Sequence, residues 1–327
     1  MQRAQELVSQ FDRHRLLVVG DVLLDCYARG VAERLSPEAP VPVLTVQSEQ
    51  LMTGGAGNVA KNVVQLGAQA TLVSVVGADD AASKVHAAAE RERYTATLLS
   101  DDSRPTTRKV RYMTGNHQML RVDYEGTHDI SSELEDRVIA ALWEVVRSGI
   151  DGILVSDYAK GVITRRVAAA ILDMAGEKDV LIGTNVKPSR APYFVGATFV
   201  SPNLKEGYEY LGVNRFEYKL SPAEIAKRVY LKLCSDVYLT LGADGMYVYC
   251  GGEEGEHVSQ EHVVEVYDVT GASDTVAVVV MLSLLSGAVP FEAAELGNAA
   301  GAVVVGRVGT VGPTQDELLD VIMPKHA

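Results

Sequence analysis

The stretch Val266-Tyr267-Asp268-Val269-Thr270-Gly271-Ala272-Ser273-Asp274-Thr275, running on into the apolar segment Val276 to Leu285, decides how this chain is read. Small residues over Thr270 to Ser273 let the backbone turn tightly, so that its amides converge on an anion where a helix begins and the macrodipole favours negative charge. Asp274 falls in the first turn of that helix, beside the place of a transferring phosphoryl group, where a carboxylate can take a proton from a sugar hydroxyl. For the string alone, a plain helix start with an acidic first turn is the favoured reading. The rest of the chain tips the balance.

Composition sets the outer limits. The 327 residues are 47% apolar and 22% charged, enough for a large core in one α/β domain or two smaller ones. Thirty basic against 43 acidic residues give a net charge of −13, which argues against nucleic acid or an anionic membrane as a partner and requires local cations for a phosphorylated substrate. Three widely spaced cysteines, Cys26, Cys234 and Cys250, indicate neither a disulfide framework nor a zinc site and fit a reducing cytoplasm. Met1 to Arg15 is a charged amphipathic segment without a signal-peptide core, and no apolar run nears the ~20 residues of a membrane span.

Working outward, Leu16 to Gly20 is an apolar run ending in Asp21, as a buried parallel strand should, and Ile153 to Ser156 ends likewise in Asp157, followed by Lys160. Ligands of open α/β sheets bind at such strand ends, which makes Asp21, Asp157 and Lys160 substrate candidates, although Asp21 serves equally as a loop cap. Thr53 to Asn62 is a glycine-rich turn feeding a helix, with Gly54 and Gly55 permitting close approach of a ligand and Asn58 available either to a sugar hydroxyl or as a cap. It is not a Rossmann fingerprint, and the chain has no Walker A motif. Segments 28–52 and 105–123 read as strands of a small sheet, a lid or a dimer surface inserted into one domain spanning 1–327. Ser132 to Glu135 carries a capping-box signature. Asn203 and Glu206 share one face of a helix start and suit either a hydrated Mg²⁺ or a reciprocal cap. Two β runs flank Gly242 and Gly245 as a hairpin that offers flat backbone to a nucleotide. The architecture is a doubly wound, mostly parallel α/β domain with a small β lid.

With these residues placed, the chain resembles the ribokinase-like (PfkB) carbohydrate kinases along nearly its whole length: Thr53 to Asn58 matches one family signature and Asp268 to Asp274 the other. Within that family it is similar to the D-glycero-β-D-manno-heptose-7-phosphate kinases, through Ser36 to Val43, Ser156 to Gly161, Pro202 to Glu206 and Gly297 to Gly301. The resemblance implies an ATP- and Mg²⁺-dependent kinase with Asp274 as base and Gly271, Ala272 and Ser273 as anion hole. It also implies a nucleotide side made of Asn203, Leu204, Lys205, Glu206, Thr240, Gly242, Gly245 and Asn298, with Glu206 towards the metal, and a sugar side made of Asp21, Gly54, Gly55 and Asn58. Two departures stand out: Ser273 in place of a glycine, and Asn185 where relatives carry an aspartate. Some such relatives carry a second, nucleotidyltransferase half, for which a chain ending at Ala327 has no room, so that activity is expected from another protein.

For a sugar already bearing a phosphate, the cations at hand are Arg104, Arg108, Lys109, Arg111 and Arg121 in the lid, with Lys160 and Lys187 on the main domain; Arg108, Arg111, Lys160 and Lys187 are the expected substrate contacts. Too apolar to stay solvated, the lid strands predict a homodimer formed through them. Competing readings are a kinase for ribose, fructose or a nucleoside, and a non-catalytic sugar-phosphate or nucleotide sensor. Retention of Asp274 speaks against the sensor.

Overall fold

A computed structural model describes residues 2–260, 270–307 and 311–322. The head of the deciding stretch, Val266 to Val269, lies outside the described residues, as does Asp268 of the second signature.

In chain order the elements are α1 (Gln2–Val8), β1 (Arg15–Gly20), β2 (Val22–Leu35), β3 (Pro42–Gly55), α2 (Ala56–Gln65), β4 (Gln69–Gly77), α3 (Asp80–Glu92), β5 (Thr95–Asp101), β6 (Arg108–Thr114) and β7 (His117–Tyr124). Then follow α4 (Ser132–Arg147), β8 (Gly152–Ser156), α5 (Arg165–Lys178), β9 (Leu181–Asn185), β10 (Phe199–Val200), α6 (Leu204–Leu211), α7 (Pro222–Leu233), β11 (Asp236–Thr240), β12 (Met246–Tyr249), β13 (Glu256–Val258), α8 (Ala272–Leu285), α9 (Pro290–Val305) and α10 (Gln315–Ile322).

Nine strands form the main sheet in the order β13-β12-β11-β10-β9-β8-β1-β4-β5, parallel except for the pairings of β12 with β11 and with β13. The chain steps from β1 to β4 on one side and to β8 on the other, so the crevice of this doubly wound sheet opens at the carboxyl ends of β1 and β8. The apolar runs ending in Asp21 and Asp157 are the paired central strands there. The expected hairpin is β11 and β12, joined through Gly242 to Asp244.

The second sheet, β3-β2-β6-β7, holds the two segments read as a lid, with β3 on its edge. Register separates its faces. Asp25 and Tyr27 stand opposite Lys109 and Arg111, while Leu24, Cys26 and Ala28 stand opposite Arg108, Val110 and Tyr112. Cys26, Ala28 and Val110 are buried together with Leu51, Tyr112 and Val122 against them, which makes the second face the lid's own small core.

Helix α8 has no polar face, since every residue from Asp274 to Ser283 is buried. A helix apolar all round needs cover on every side. It packs against β8 and β9 of the sheet and against α2 and α9. The lack of helical periodicity in Val276 to Leu285 is thus the sign of a central helix. One frame shifts: Ser131, not Ser132, caps α4, by accepting from the Leu134 amide. Serines stand at both positions, and the extended backbone of Ser131 (ψ 160°) makes it the cap.

Because Leu282 is fully buried in α8, Leu282→Ala is expected to cost about 2–5 kcal/mol of unfolding free energy in urea titration, the usual range for a core leucine. A loss under about 1 kcal/mol contradicts this packing.

Candidate active site

Asp274 sits in the first turn of α8 and is 1% exposed. Its carboxylate meets donors from three separate elements. Asn58 Nδ2, on α2, lies 3.1 Å from Oδ2; the Tyr158 hydroxyl, on the loop after β8, lies 3.1 Å from the same oxygen; Asn185 Nδ2, at the end of β9, lies 3.0 Å from Oδ1. Two donors on Oδ2 and one on Oδ1 leave a lone pair open on Oδ1 among the described residues. Burial pushes the Asp274 carboxyl up to about 6, and the bonds from Asn58, Tyr158 and Asn185 counter part of that rise. A carboxylate so placed is ionised near neutral pH yet basic enough to take a proton.

One turn beyond Asn58, Asn62 Nδ2 donates to Thr275 Oγ1 at 2.8 Å, and that hydroxyl donates to the Gly271 carbonyl. Two asparagines at i and i+4 of α2 therefore fix the start of α8. The N-cap of α2 is Gly55 (φ 57°), with no side-chain cap bond, so Asn58 is spent on Asp274 and not on capping. Gly271 (φ 81°) is the N-cap of α8, and Thr275 N makes the first bond back to its carbonyl. The amides of Ala272, Ser273 and Asp274 have no intrahelical partner, which is what an anion seat requires.

Two cavities meet there. The larger, of about 650 Å³, is lined by Asn203, Leu204, Lys205, Thr240, Gly242, Gly245 and Asn298 together with Ala272 and Ser273. Every residue expected on the nucleotide side except Glu206 lines it. Gln260, Val276, Ala302 and Val305 also line it and escaped the sequence reading, because apolar and amide side chains carry no motif. The smaller, of about 100 Å³, is bordered by Asp157, Tyr158, Asn185, Lys187, Asn203, Glu206, Gly271, Ser273 and Asp274. Ser273 borders both, so the departure from glycine stands at their junction.

Several expected roles change on this geometry. Asp21 is 2% exposed, and its carboxylate accepts the amides of Tyr158 and Lys160 on Oδ2 and of Val162 on Oδ1. It organises the loop that carries Tyr158, the loop-cap role expected as its alternative. Asp157 accepts from the Ala159 and Lys187 amides, and burial, followed by the nearby Asp21 charge, pushes it up to about 7. Asp157 and Lys187 border the small cavity next to Asp274.

Glu206 forms the reciprocal cap with Asn203 and also accepts from Lys187 Nζ at 2.8 Å. Among the described residues no group of three or more acidic, histidine or cysteine side chains forms a metal cage. The oxygen donors of Asn185, Asn203 and Glu206 around the small cavity suit a divalent ion that keeps its water and is held chiefly by phosphates.

In the lid, Arg108 lies on the face of the small lid core, stacked 4.3 Å from the Tyr124 ring, and so turns away from the cleft. Arg111, three residues on and thus on the opposite face, pairs with buried Asp25. Asp25 was missed by the sequence reading, lying as it does inside a strand without a motif. A Cβ on Gly54 would stand 2.2 Å from Asp25 Oδ2, so Gly54 is the space that this carboxylate occupies. Lys160 Nζ pairs with Glu125 at 2.8 Å. Tyr158 and Asn185 also went unassigned, although both lie directly after or at the end of a strand that points into the crevice.

The model of the pfkB family carbohydrate kinases matches residues 13–317. The chain belongs to that family. It is 38% identical over 325 residues to the bifunctional protein HldE of Caulobacter sp. strain K31, covering 98% of this chain and 65% of that protein. With the HldE of Helicobacter hepaticus it is 36% identical over 311 residues, 94% of this chain and 64% of that one. It therefore spans just under two thirds of the length of these relatives. Among solved structures, Escherichia coli phosphofructokinase-2 in complex with potassium superposes with a TM-score of 0.75 at 16% identity, covering 94% of this chain and 97% of that one. Thermotoga maritima ribokinase gives 0.71 at 21%, covering 94% and 99%. The fold is ribokinase-like, and the protein is a sugar kinase, a phosphotransferase with an alcohol group as acceptor. Kinases of this family use ATP, typically with a divalent metal.

Asp274→Asn is expected to lower turnover about 10²-fold or more while nucleotide binding persists, the scale of a positioned base. Since the base must be ionised, kcat/KM should fall as pH drops through about 6. Tyr158→Phe removes a donor to the ionised form, so the carboxyl pKa rises and the acid limb moves to higher pH. An unmoved limb in this variant removes Asp274 from the titration. Ser273→Gly keeps the backbone amide and should change the rate only modestly; a wild type inactive on every sugar and revived by this change would mark Ser273 as disabling.

Proposed function

We propose that the chain transfers the γ-phosphoryl group of ATP, with Mg²⁺, to the anomeric O-1 hydroxyl of D-glycero-D-manno-heptose 7-phosphate, giving the 1,7-bisphosphate used to build ADP-heptose. The observation that carries the chemistry is the buried Asp274 carboxylate with one open lone pair, set at the helix start where two cavities meet. Support for the substrate comes from the heptose-kinase-like segments quoted above and from the 38% identity to HldE.

In this reading Asp274 Oδ1 takes the hydroxyl proton, while Asn58, Tyr158 and Asn185 hold the carboxylate still. The free amides of Ala272 and Ser273 and the start of α8 stabilise charge on the transferring group, and Lys187 faces it from the small cavity. Asn185, Asn203 and Glu206 would hold the hydrated Mg²⁺, which when bound neutralises phosphate charge. A carboxylate in place of Asn185 would confront Asp274 at about the 3.0 Å now spanned by a hydrogen bond. The amide at this position therefore protects the ionised base.

The lid also supports a homodimer. Val31, Leu35 and Val46 are exposed along β2 and β3, Val41 is exposed just before β3, and β3 is an edge of 14 residues. Sedimentation at micromolar concentration should show a dimer; monomer alone contradicts it.

Coupled ADP release across a panel of sugars and sugar phosphates tests the substrate. Heptose 7-phosphate is expected to exceed ribose, fructose, nucleosides and the unphosphorylated heptose in kcat/KM by about 10²-fold or more, as loss of a charged partner commonly costs. Equal or higher kcat/KM for a neutral sugar overturns the substrate and leaves a kinase of other specificity.

A further inference from the structure

One carboxylate held between two lysines bridges the lid and the main domain. Glu125, just after β7, meets Lys160 Nζ with Oε1 at 2.8 Å and Lys109 Nζ with Oε2 at 3.5 Å. Lys109 also pairs with Asp123 at 2.9 Å. Both lysine side chains are 16% exposed and that of Glu125 is 26% exposed. Burial raises the Glu125 carboxyl, but the Lys160 bond and the Lys109 charge outweigh it and hold the group below the usual carboxylate range.

Position gives this cluster its meaning. Lys109 stands opposite Asp25 in the register of β2 and β6, on the face of the lid that carries Asp25 against Gly54 and Arg111 against Asp25. Lys160 lies two residues past Tyr158, whose hydroxyl touches Asp274, and its amide is fixed on Asp21. The Arg104 guanidinium, itself buried, holds the Lys160 carbonyl from behind at 2.6 Å. One lysine thus comes from the lid and one from the loop tied to Asp21 beside Asp274, and they converge on a carboxylate.

We propose that Lys109 and Lys160 form the seat of the substrate's own phosphomonoester, the one not transferred, and that Glu125 holds this seat until the substrate phosphate displaces it. The proposal rests on the reading of the chain as a sugar-phosphate kinase. A phosphate dianion brings more charge than the carboxylate and enough terminal oxygens to meet both ammonium groups at once, whereas partly exposed lysine–carboxylate pairs hold weakly. Glu125 follows the end of β7 outside regular structure, so it can swing away without breaking a sheet. Binding at this seat ties the lid to the Tyr158 loop and makes lid closure depend on a phosphorylated substrate. The expected roles of Arg108 and Lys187 at that phosphate pass to Lys109, with Lys160 retained.

The test compares Lys109→Met, Lys160→Met, Lys109→Arg and Glu125→Gln with wild type on heptose 7-phosphate and on the unphosphorylated heptose, alongside calorimetric titration of heptose 7-phosphate without nucleotide. Either methionine variant should raise KM for the phosphorylated sugar about tenfold or more, the scale of a lost charged hydrogen bond, and by at least tenfold more than for the neutral sugar. Lys109→Arg should restore most of the loss, and Glu125→Gln should lower KM by removing the competitor. Equal losses on both sugars, or a Glu125→Gln variant as impaired as the lysine variants, would overturn the seat and make the cluster a structural latch. Should wild type bind the sugar phosphate but release no ADP, the kinase reading fails while the seat stands if Lys109→Met abolishes the heat. A wild type that gives no binding heat refutes the seat.

Discussion

The site depends on keeping one carboxylate charged inside a protein. Asp274 is buried at the start of a helix that is itself buried all round, a costly place for a charge unless donors and a favourable dipole surround it. Asn58, Tyr158 and Asn185 supply the donors, and each arrives by a different route: a helix after the glycine-rich turn, the loop tied to Asp21, and the end of β9. The architecture of the main domain is largely the means by which these three side chains reach one point.

This explains why residues distant from any substrate matter. Asp21 spends its carboxylate on three amides of the Tyr158 to Val162 loop, and through that loop it sets where the tyrosine hydroxyl points. Asn62 secures Thr275 and with it the first turn of α8, whose residues line both cavities. Gly54 lacks a side chain so that Asp25 can lie over the turn preceding α2. The start of α8, the Asp274 carboxylate and the smaller sheet are thereby fixed to one another by backbone and short polar contacts, the kind of positioning that phosphoryl transfer needs.

Much of this was legible in the chain because its physical cause is local. An apolar run closed by Gly20 and Asp21 reads as a buried strand reaching a crevice, and the run from Val276 to Leu285 without periodicity as an enclosed helix. The expected nucleotide-side positions, scattered over three segments, line one cavity apart from Glu206. Illegible were the features set by direction and by distant contact. Arg108 and Arg111 look alike in the sequence, yet an odd spacing on a strand sends them to opposite faces, and only the packing of Val110 and Tyr112 reveals which face is the cleft. Which loop Asp21 caps is hidden because the amides that it accepts lie more than a hundred residues away. Tyr158 and Asn185 gain their roles only when Asp274 is folded against them.

The most direct measurement of the account is a crystal structure of the protein with heptose 7-phosphate and a non-transferable ATP analogue. The anomeric O-1 is expected within about 2.6–3.2 Å of Asp274 Oδ1, with Oδ2 still bound by Asn58 and Tyr158. An O-1 resting on Asp25 or Asp157, or an Asp274 turned away from both ligands, would contradict it.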